Sequence, residues 1–210
     1  MKSVVVLGKT NLATRICEWI EESDRFDLAA VVPTRPQPDW CADLAEWAQT
    51  RGVRAAESGR LSQLEQGEFN IGISCFYDKI LSLSDIQRFD LCLNIHNSLL
   101  PRHRGVGPIE WSMRDGTGLQ GVSVHQLMTG VDTGPIFGQA SFTIWPHLDS
   151  HEIHQMCLDV GYVLLVSVLR NLEAIKPTDQ DEKIATYHSR DETLRMLQAL
   201  SERDEFRSAT

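Results

Sequence analysis

Residues 91–101 read Leu-Cys-Leu-Asn-Ile-His-Asn-Ser-Leu-Leu-Pro, an apolar run that carries an amide and an imidazole and ends in a proline. Asn94 and His96 are two positions apart, so on an extended strand their side chains point to the same side. Residues 98–101 must then leave the sheet, because a proline cannot continue a central strand. The stretch therefore predicts a buried strand that delivers two polar groups to one cleft.

A carboxylate follows on a short loop, Val131-Asp132-Thr133-Gly134, 36 residues after His96 (132 − 96 = 36). An aspartate beside a histidine fixes the tautomer of the imidazole and raises its basicity, and a neighbouring amide can hold a developing oxyanion. These groups together can transfer an acyl group to an amine. We therefore predict that Asn94, His96 and Asp132 are catalytic.

Short apolar strands alternate with amphipathic helices along most of the chain, which is typical of a parallel sheet covered on both faces. The sequence thus predicts an α/β fold with a Rossmann-like, doubly wound and mostly parallel sheet. Predicted strands cover residues 4–7, 28–32, 71–75 and 91–95, and predicted helices cover residues 12–21, 43–51, 82–89 and 109–114. Residues 122–127 and 136–144 alternate like two paired strands.

The C-terminal part predicts a long helix over residues 150–172, with Ser150 as its N-cap and Glu152 in its first turn. Its apolar surface is broader than one core-facing stripe requires, which indicates either a homodimer contact or a helix packed between sheet and tail. Residues 185–188 predict an edge strand, and residues 191–200 predict a closing helix.

Length and composition suit one domain, because 210 residues with 42% hydrophobic content can bury a sizeable core. The net charge of −9 and a pI near 5.2 leave no basic surface for a polynucleotide, so we expect no nucleic-acid partner. The five cysteines are an odd number without a Cys-x-x-Cys pair. They predict reduced thiols rather than a disulfide framework or a zinc site.

The N-terminus runs from Met1-Lys2 directly into an apolar strand, without a charged-then-apolar leader. The longest apolar run, residues 163–168, is too short to span a bilayer. We therefore expect a cytoplasmic protein without a membrane partner.

Gly8-Lys9-Thr10 resembles the end of a phosphate-binding loop, but the earlier glycine that such a loop needs falls on Ser3. A nucleoside triphosphatase is therefore not expected. The loop nevertheless follows the first strand, at the sheet edge where open α/β folds bind ligands. We predict that Lys9, Thr10 and Asn11 contact a phosphate on the acceptor substrate.

Five other histidines carry weaker signals. His147, His151 and His154 are spaced like metal ligands, but the first lies before the helix and no carboxylate or cysteine accompanies them at ligand spacing. The sequence indicates solvated or packed histidines there, and no metal site is predicted. His103 and His125 are ordinary by position, one in a loop and one on a strand.

The motifs together resemble those of the folate-dependent formyltransferases. In that family Asn-x-His is followed by Ser-Leu-Leu-Pro, Arg-Gly and a later Asp-x-Gly. The matching elements here are Asn94-Ile95-His96, Ser98-Leu99-Leu100-Pro101, Arg104-Gly105, Gly121-Val122-Ser123-Val124-His125 and Asp132-Thr133-Gly134. The resemblance covers residues 70–146 well and implies a catalytic domain over residues 1–175. Residues 176–210 would form a short extension packed on it.

The resemblance also implies the co-substrate 10-formyltetrahydrofolate and no metal. Its pterin would lie in an apolar slot between the loop before the catalytic strand and the loop leading into the aspartate, with Ile80 and Leu99 as walls. The implied cofactor-binding residues are Phe76, Tyr77, Asp78, Lys79, Ile80, Ser98, Leu99, Leu100, Pro101, Met128, Thr129, Gly130 and Val131. Phe76 and Tyr77 suit the protein core equally well. Arg104 and Gly105 join the loop at residues 9–11 as predicted substrate-binding residues.

The segment from Arg104 to Trp111 and the residues 185–188 are most similar to the sugar N-formyltransferases. The resemblance therefore favours a nucleotide-linked amino-deoxysugar as the small-molecule amine acceptor. The alternatives are the phosphoribosylglycinamide formyltransferase of purine synthesis and a small-amine or peptide-synthetase-type formyltransferase. The purine enzyme carries a glycine-rich first loop, of which this chain keeps only Gly8.

Three further classes are less well supported. The tRNA enzyme of the family normally carries an additional basic barrel domain, and the chain stops near where that domain would begin. A formyltetrahydrofolate hydrolase would use the same site with water in place of the amine. A non-catalytic folate- or nucleotide-binding protein would be expected to lack the Asn-His-Asp set, which is complete here.

Overall fold

A computed structural model describes residues 1–64 and 69–208, with side chains up to residue 201. A six-stranded sheet in the order β2-β1-β3-β4-β6-β7 forms its centre. The first four strands in this order are parallel, β6 pairs antiparallel with β4, and β7 pairs antiparallel with β6, so the predicted mostly parallel α/β fold is confirmed. The strands are β1 (Lys2–Gly8), β2 (Phe26–Pro33), β3 (Phe69–Cys75), β4 (Phe89–His96), β6 (Leu119–Gln126) and β7 (Ile136–Thr143).

Helices pack on both faces of the sheet, because the short helix that contains Ile86 packs on the face opposite most of the others. The helices are α1 (Thr10–Glu21), α2 (Leu44–Arg51), α3 (Leu83–Ile86), α4 (Pro108–Asp115), α5 (Ser150–Arg170) and α6 (Arg190–Ser208). Val4 and Val6 pack with α1 and α5 in the main core, whereas the alternate residues Val5 and Leu7 pack on the other face in a smaller cluster. The helices and strands that were predicted between residues 4 and 144 are present. The prediction over residues 82–89 is the least accurate, because β4 already begins at Phe89.

Helix α5 begins at Ser150, the residue predicted, but its N-cap is one residue earlier than predicted. Asp149, not Ser150, is the N-cap residue, and its carboxylate accepts a hydrogen bond from the Glu152 amide at 2.8 Å. The Glu152 side chain accepts in return from the Asp149 amide at 2.9 Å, which completes a capping box. The prediction of Ser150 as the cap was therefore wrong, because aspartate is an equally good cap and stands in the right place.

The apolar length of α5 also exceeds what the short run 163–168 suggested. By length and composition the helix is a candidate membrane span, with a mean hydropathy of 1.4 over its most apolar window. In the structure 44% of that window is buried, and the helix packs on α1, β6 and β7. Because the core helix of a globular domain passes the same test, this is weak evidence for a membrane. Val163 is 66% exposed, and a homodimer through this helix stays a prediction.

A second, two-stranded sheet joins the end of the chain to the loop after β4. Its strands are β5 (Arg104–Gly105) and β8 (Tyr187–His188), which are parallel. The predicted strand over residues 185–188 therefore exists only at its end and does not extend the main sheet. Residues 209 and 210 of the predicted extension lie outside the described residues.

Candidate active site

The site is built where β4 ends against β6. These strands are antiparallel, and their pairing places Asn94 opposite His125 and His96 opposite Ser123. His96 is 7% exposed and His125 is fully buried. The predicted pair Asn94 and His96 does share one side of the strand, because both side chains reach the same carboxylate, that of Asp132.

Asp132 lies between the imidazoles of two histidines. Its Oδ2 is 3.5 Å from His96 Nδ1, and its Oδ1 is 3.4 Å from His125 Nε2 and 3.5 Å from Asn94 Nδ2. The Gly105 amide donates to Oδ2 at 2.9 Å. Asp132 has a φ of 53°, a left-handed conformation that aspartate tolerates better than most residues. The structure thus brings together the three residues that were predicted to be catalytic.

The hydrogen bonds of His96 define its tautomer. Nε2 lies 2.7 Å from the carbonyl oxygen of His103, which can only accept, so Nε2 carries a hydrogen. In the neutral ring Nδ1 is then unprotonated and faces Asp132. Nδ1 is therefore the atom at which this imidazole gains or loses its proton.

His125 completes the site, although its position on a strand predicted no function; the one signal was its place at the end of the family-like stretch 121–125. Its Nδ1 lies 2.9 Å from the carbonyl oxygen of Gln126 and must donate to it, which leaves Nε2 as an acceptor in the neutral ring. The amide nitrogen of Asn94 is 3.1 Å from this Nε2. His125 therefore takes one hydrogen of the Asn94 amide and orients the other towards Asp132 Oδ1.

Burial and charge act differently on the two ionisable partners. Burial is the largest influence on His96 and lowers its pKa below the usual value, although Asp132 and the hydrogen bond to His103 act in the opposite direction. Burial alone would raise the pKa of Asp132. The imidazoles of His96 and His125 and the Gly105 amide lie beside the carboxylate, outweigh burial and hold the pKa of Asp132 well below the usual range. Near neutral pH the site thus contains a neutral imidazole beside an ionised carboxylate.

The predicted cofactor slot is formed by two loops that meet at their bases. Tyr77 and Leu81 of the first loop pack in the same hydrophobic cluster as Leu127, which begins the second. Three apolar side chains of these loops remain exposed: Ile80 at 89%, Met128 at 48% and Val131 at 44%. Solvent-exposed apolar residues on adjoining loops provide a surface suited to a flat aromatic ligand.

Three other residues of these loops that were predicted to bind the cofactor have polar contacts within the protein. The Tyr77 hydroxyl and Lys79 Nζ both donate to the Gly59 carbonyl, at 2.7 and 2.8 Å, and Asp78 lies 3.8 Å from Lys9 Nζ. Thr129 and Gly130 lie in the second loop, before Asp132. Their contact with a cofactor stays a prediction.

The Ser-Leu-Leu-Pro turn is buried scaffold rather than open surface. Ser98 is 1% exposed and its hydroxyl donates to the Arg102 carbonyl at 2.6 Å. Leu100 is 3% exposed and its amide donates to Ser123 Oγ, and the side chain of Leu99 packs against Gly121. These contacts fix the end of β4. A direct cofactor contact by residues 98–101, Pro101 included, stays a prediction.

Residues 9–11, predicted to form a loop that holds a phosphate, are instead the N-cap and the first two residues of α1, beside aromatic side chains. Lys9 Nζ lies 5.6 Å from the ring centre of Trp40, which is 59% exposed. The Thr10 hydroxyl accepts from the Leu12 amide at 3.3 Å and is buried, whereas Asn11 is exposed. Of the three predicted residues, Lys9 and Asn11 are therefore the two with side chains able to reach a ligand.

Two polar atoms beside Lys9 are buried without a hydrogen-bond partner among the described residues, Asn97 Oδ1 and His154 Nε2. The Asn97 amide nitrogen is 3.5 Å from His154 Nδ1, so Nε2 of the neutral ring carries the hydrogen. The ring of Phe76 lies 5.5 Å from that of His154. One free acceptor and one free donor therefore lie side by side, which the sequence did not predict.

Arg104 and Gly105 lie at the site, but their contacts are with the protein. The Arg104 side chain is 7% exposed and bonds to Gln180 and Glu182. The Gly105 amide is used by Asp132. Substrate binding by these two residues stays a prediction. No group of three His, Cys, Asp or Glu residues suited to a metal occurs within residues 1–64 and 69–201, whose side chains are described.

A family model described as formyl transferase matches residues 1–169. This chain belongs to the formyl transferase family. A methionyl-tRNA formyltransferase from Deinococcus radiodurans is 38% identical over 128 residues, which are 60% of this chain and 40% of that protein. The chain spans less than two thirds of the length of each of the curated relatives compared.

Solved structures of the family share the fold. An N-formyltransferase from Helicobacter canadensis, solved with folinic acid and dTDP-3-aminofucose, has a TM-score of 0.80 at 22% identity. The match covers 91% of this chain and 72% of that one. Phosphoribosylglycinamide formyltransferase from Bacillus halodurans has a TM-score of 0.68 at 20% identity, over 81% of this chain and 95% of that one. At such identities the likeness establishes the fold alone.

Proposed function

We propose that this protein is an N-formyltransferase that moves the formyl group of 10-formyltetrahydrofolate to the primary amine of a nucleotide-linked amino-deoxysugar. The observation that carries the proposal is that Asn94 Nδ2 and His96 Nδ1 each lie 3.5 Å from an oxygen of the Asp132 carboxylate. Membership of the formyl transferase family supports the reaction class.

The chain offers a surface that fits the co-substrate. When bound, 10-formyltetrahydrofolate supplies the formyl group, and its nitrogen leaves after accepting a proton. Ile80, Met128 and Val131 present the exposed apolar surface for the pterin beside the loop that carries Asp132. Backbone groups of the same loops are available to the amide-like pterin edge.

Asn94 is the donor for the formyl oxygen, on which negative charge develops as the amine attacks. One amide hydrogen is held by His125 Nε2 at 3.1 Å, and the other points at Asp132 over 3.5 Å. A contact of that length is weak, so the second hydrogen is available to a developing oxyanion. Because His125 fixes the amide, the donor is oriented before the substrate binds.

His96 and Asp132 together move the proton. Nδ1 is unprotonated near neutral pH and faces Oδ2, so a proton taken from the attacking amine is held between the imidazole and the carboxylate. Burial lowers the pKa of His96, which favours passing the proton on to the leaving nitrogen. Neither a metal nor a covalent protein intermediate is needed for these steps.

The side chains around Lys9 support a sugar nucleotide as the acceptor. Exposed Trp40 suits stacking of a nucleobase, and the Lys9 ammonium suits a phosphate, although Asp78 lies 3.8 Å from it. A sugar hydroxyl both donates and accepts, which matches Asn97 Oδ1 and His154 Nε2. The net charge of −9 disfavours a polyanion as large as a tRNA.

Methionyl-tRNA is the second candidate acceptor, because the curated relatives are methionyl-tRNA formyltransferases. The decisive experiment is a formyl-transfer assay with 10-formyltetrahydrofolate. It uses a panel of nucleotide-linked amino sugars, glycinamide ribonucleotide, initiator methionyl-tRNA and a control without acceptor. Turnover with an amino sugar supports the proposal. Turnover only with the ribonucleotide or the tRNA assigns another acceptor, and formate release without acceptor assigns a hydrolase.

The same assay tests the catalytic residues. Loss of an oriented oxyanion donor costs about 100-fold to 1000-fold in turnover, so Asn94→Ala is expected to lose at least that much. Loss of the group that moves the proton costs about 100-fold to 10,000-fold, which is the loss expected for His96→Ala. His147→Ala, at an exposed position before α5, is the matched control and should keep full activity. Near-normal turnover by a folded His96→Ala protein would show that the assignment is wrong.

A further inference from the structure

The segment of residues 178–188, which we call the clamp segment, contacts two loops. One loop carries Asp132, and the other follows β4, the strand that ends at His96. The clamp segment lies outside the region matched by the family model, which ends at residue 169. We propose that contacts from the clamp segment hold the active-site loops in place and that Gln180 is a positioning residue for Asp132. The kinetic test of this inference rests on the proposed formyl transfer. Its structural test rests only on the contacts of the clamp segment.

Gln180 binds the backbone of the loop that carries Asp132. Its amide nitrogen donates to the carbonyl oxygens of Asp132 and Gly134, at 2.8 and 2.7 Å. Two residues earlier, Thr178 exchanges both backbone hydrogen bonds with Ile136, at 2.8 and 2.9 Å. The loop is thus held on both sides of its turn by one short stretch of the chain.

Arg104 holds Gln180 in turn. Its Nε and Nη2 atoms donate to Gln180 Oε1 at 3.1 and 2.9 Å, and its guanidinium forms a two-point pair with Glu182 at 3.0 and 2.6 Å. The oxygen of the Gln180 amide is therefore committed to Arg104, which leaves the nitrogen to face the two carbonyls. The amide orientation is specified by charge, not only by packing.

The clamp segment also fixes the other partner of His96. The Thr186 hydroxyl accepts from the His103 amide at 2.7 Å, and the backbone of Thr186 bonds to Pro101 and Arg104. The carbonyl oxygen of His103 receives the Nε2 hydrogen of His96 at 2.7 Å. The clamp segment therefore bonds to the loops of both polar neighbours of the imidazole, Asp132 at Nδ1 and His103 at Nε2.

This arrangement assigns a role to Arg104 and Gly105 that differs from substrate binding. Arg104 orients Gln180, and the Gly105 amide donates to Asp132 Oδ2 at 2.9 Å. A carboxylate whose backbone and side chain are both held keeps its distance from the imidazole, and catalysis is sensitive to displacements of about 1 Å, which can cost on the order of 100-fold.

The test is Gln180→Glu, with Lys183→Ala as the control in the same segment. The glutamate still accepts from Arg104, but its carboxylate repels the two carbonyl oxygens to which the amide donated. We expect kcat to fall by about 10-fold to 100-fold while the KM values for folate and acceptor change by less than about threefold. The thermal midpoint should stay close to that of the wild type, and Lys183→Ala, an exposed position, should retain full activity.

Amide hydrogen exchange provides a readout that does not depend on activity. The Ile136 amide, which donates to Thr178, should exchange faster in Gln180→Glu, whereas the β1 amides should not. Unchanged kcat, or a parallel loss of kcat, KM and thermal stability, would overturn the positioning role. If the wild type transfers no formyl group to any acceptor, the proposed function fails. The hydrogen-exchange rate of the Ile136 amide then tests the clamp segment by itself. An unchanged rate in Gln180→Glu would overturn its role.

Discussion

Asn94 and His125 lie directly opposite each other in the antiparallel pairing of β4 and β6, with Asn94 Nδ2 3.1 Å from His125 Nε2. The pairing makes a fully buried histidine the acceptor that orients the amide proposed to bind the formyl oxygen. The active-site amide is therefore positioned by a neighbouring strand as well as by its own.

Replacing His125 should reduce turnover although the residue does not face the substrate. In His125→Ala the Asn94 amide loses its acceptor, so its free hydrogen is no longer directed, and we expect kcat to fall by about 10-fold to 100-fold. Steady-state kinetics with folate and acceptor varied separately checks this. His151→Ala, at an exposed position on α5, is the control.

The fold of the His125 variant must be verified, because the deleted ring is fully buried and leaves a cavity. His125→Gln retains a carbonyl oxygen that can accept from Asn94 and should recover part of the lost activity. If His125→Ala is folded and as active as the wild type, His125 has no orienting role.

Stability should depend on pH through Asp132. Its pKa is lowered in the folded protein, so below the usual range of aspartate the unfolded chain binds a proton that the folded one does not. The contribution of Asp132 is thus fully present above about pH 5 and is lost as the pH falls towards its folded pKa. His96 acts in the same direction at higher pH. Its lowered pKa makes protonation favour the unfolded chain as the pH falls below about 6.5.

Urea unfolding of the wild type and of Asp132→Asn from pH 7 to pH 3 measures this dependence. We expect the difference in unfolding free energy between the two proteins to narrow steadily below about pH 5. Asp181→Asn, at an exposed position, serves as the control and should show no comparable trend. A difference that stays constant over the range contradicts a lowered pKa for Asp132.

The strands and the core could be predicted because they depend on local pattern. Apolar strands alternating with amphipathic helices indicated the sheet, and the two-residue spacing of Asn94 and His96 indicated their common side. His125 could not be selected in the same way. Its role depends on the register between β4 and β6, which no single segment determines.

Residues that meet through loops were also beyond sequence reasoning. Trp40 and His154 come from distant parts of the chain and meet only because both lie near the end of β1. Arg104 was predicted to bind substrate from its motif, yet its partners are Gln180 and Glu182, more than 70 positions away. A sequence motif identifies an important residue, but the contacts of that residue depend on which distant segment the fold places beside it.

The sequence prediction and the structure name different N-cap residues for α5, and mutation of each residue compares the two. Asp149 accepts from the Glu152 amide and Ser150 does not serve as the cap, so Asp149→Ala should lower the free energy of unfolding by about 1 kcal/mol. Ser150→Ala should change it by less than about 0.5 kcal/mol. Denaturant titration of both variants compares them directly, and a larger loss for Ser150→Ala than for Asp149→Ala would contradict Asp149 as the cap.

Trp40 gives the sharpest test of the acceptor class. It is 59% exposed beside Lys9 and is proposed to stack on a nucleobase, an interaction worth about 1–3 kcal/mol per base. Trp40→Ala should therefore raise the KM for a nucleotide-linked amino sugar by about 5-fold to 100-fold, with kcat and the KM for folate little changed.

The matched control is Trp145→Ala, because Trp145 is 62% exposed but lies beyond the end of β7, away from Lys9. It should leave all three constants unchanged. Trp40→Phe keeps an aromatic face and should recover most of the affinity. If Trp40→Ala binds the amino sugar as tightly as the wild type, the nucleobase does not rest on this side chain. If the folate KM rises instead, Trp40 belongs to the co-substrate site.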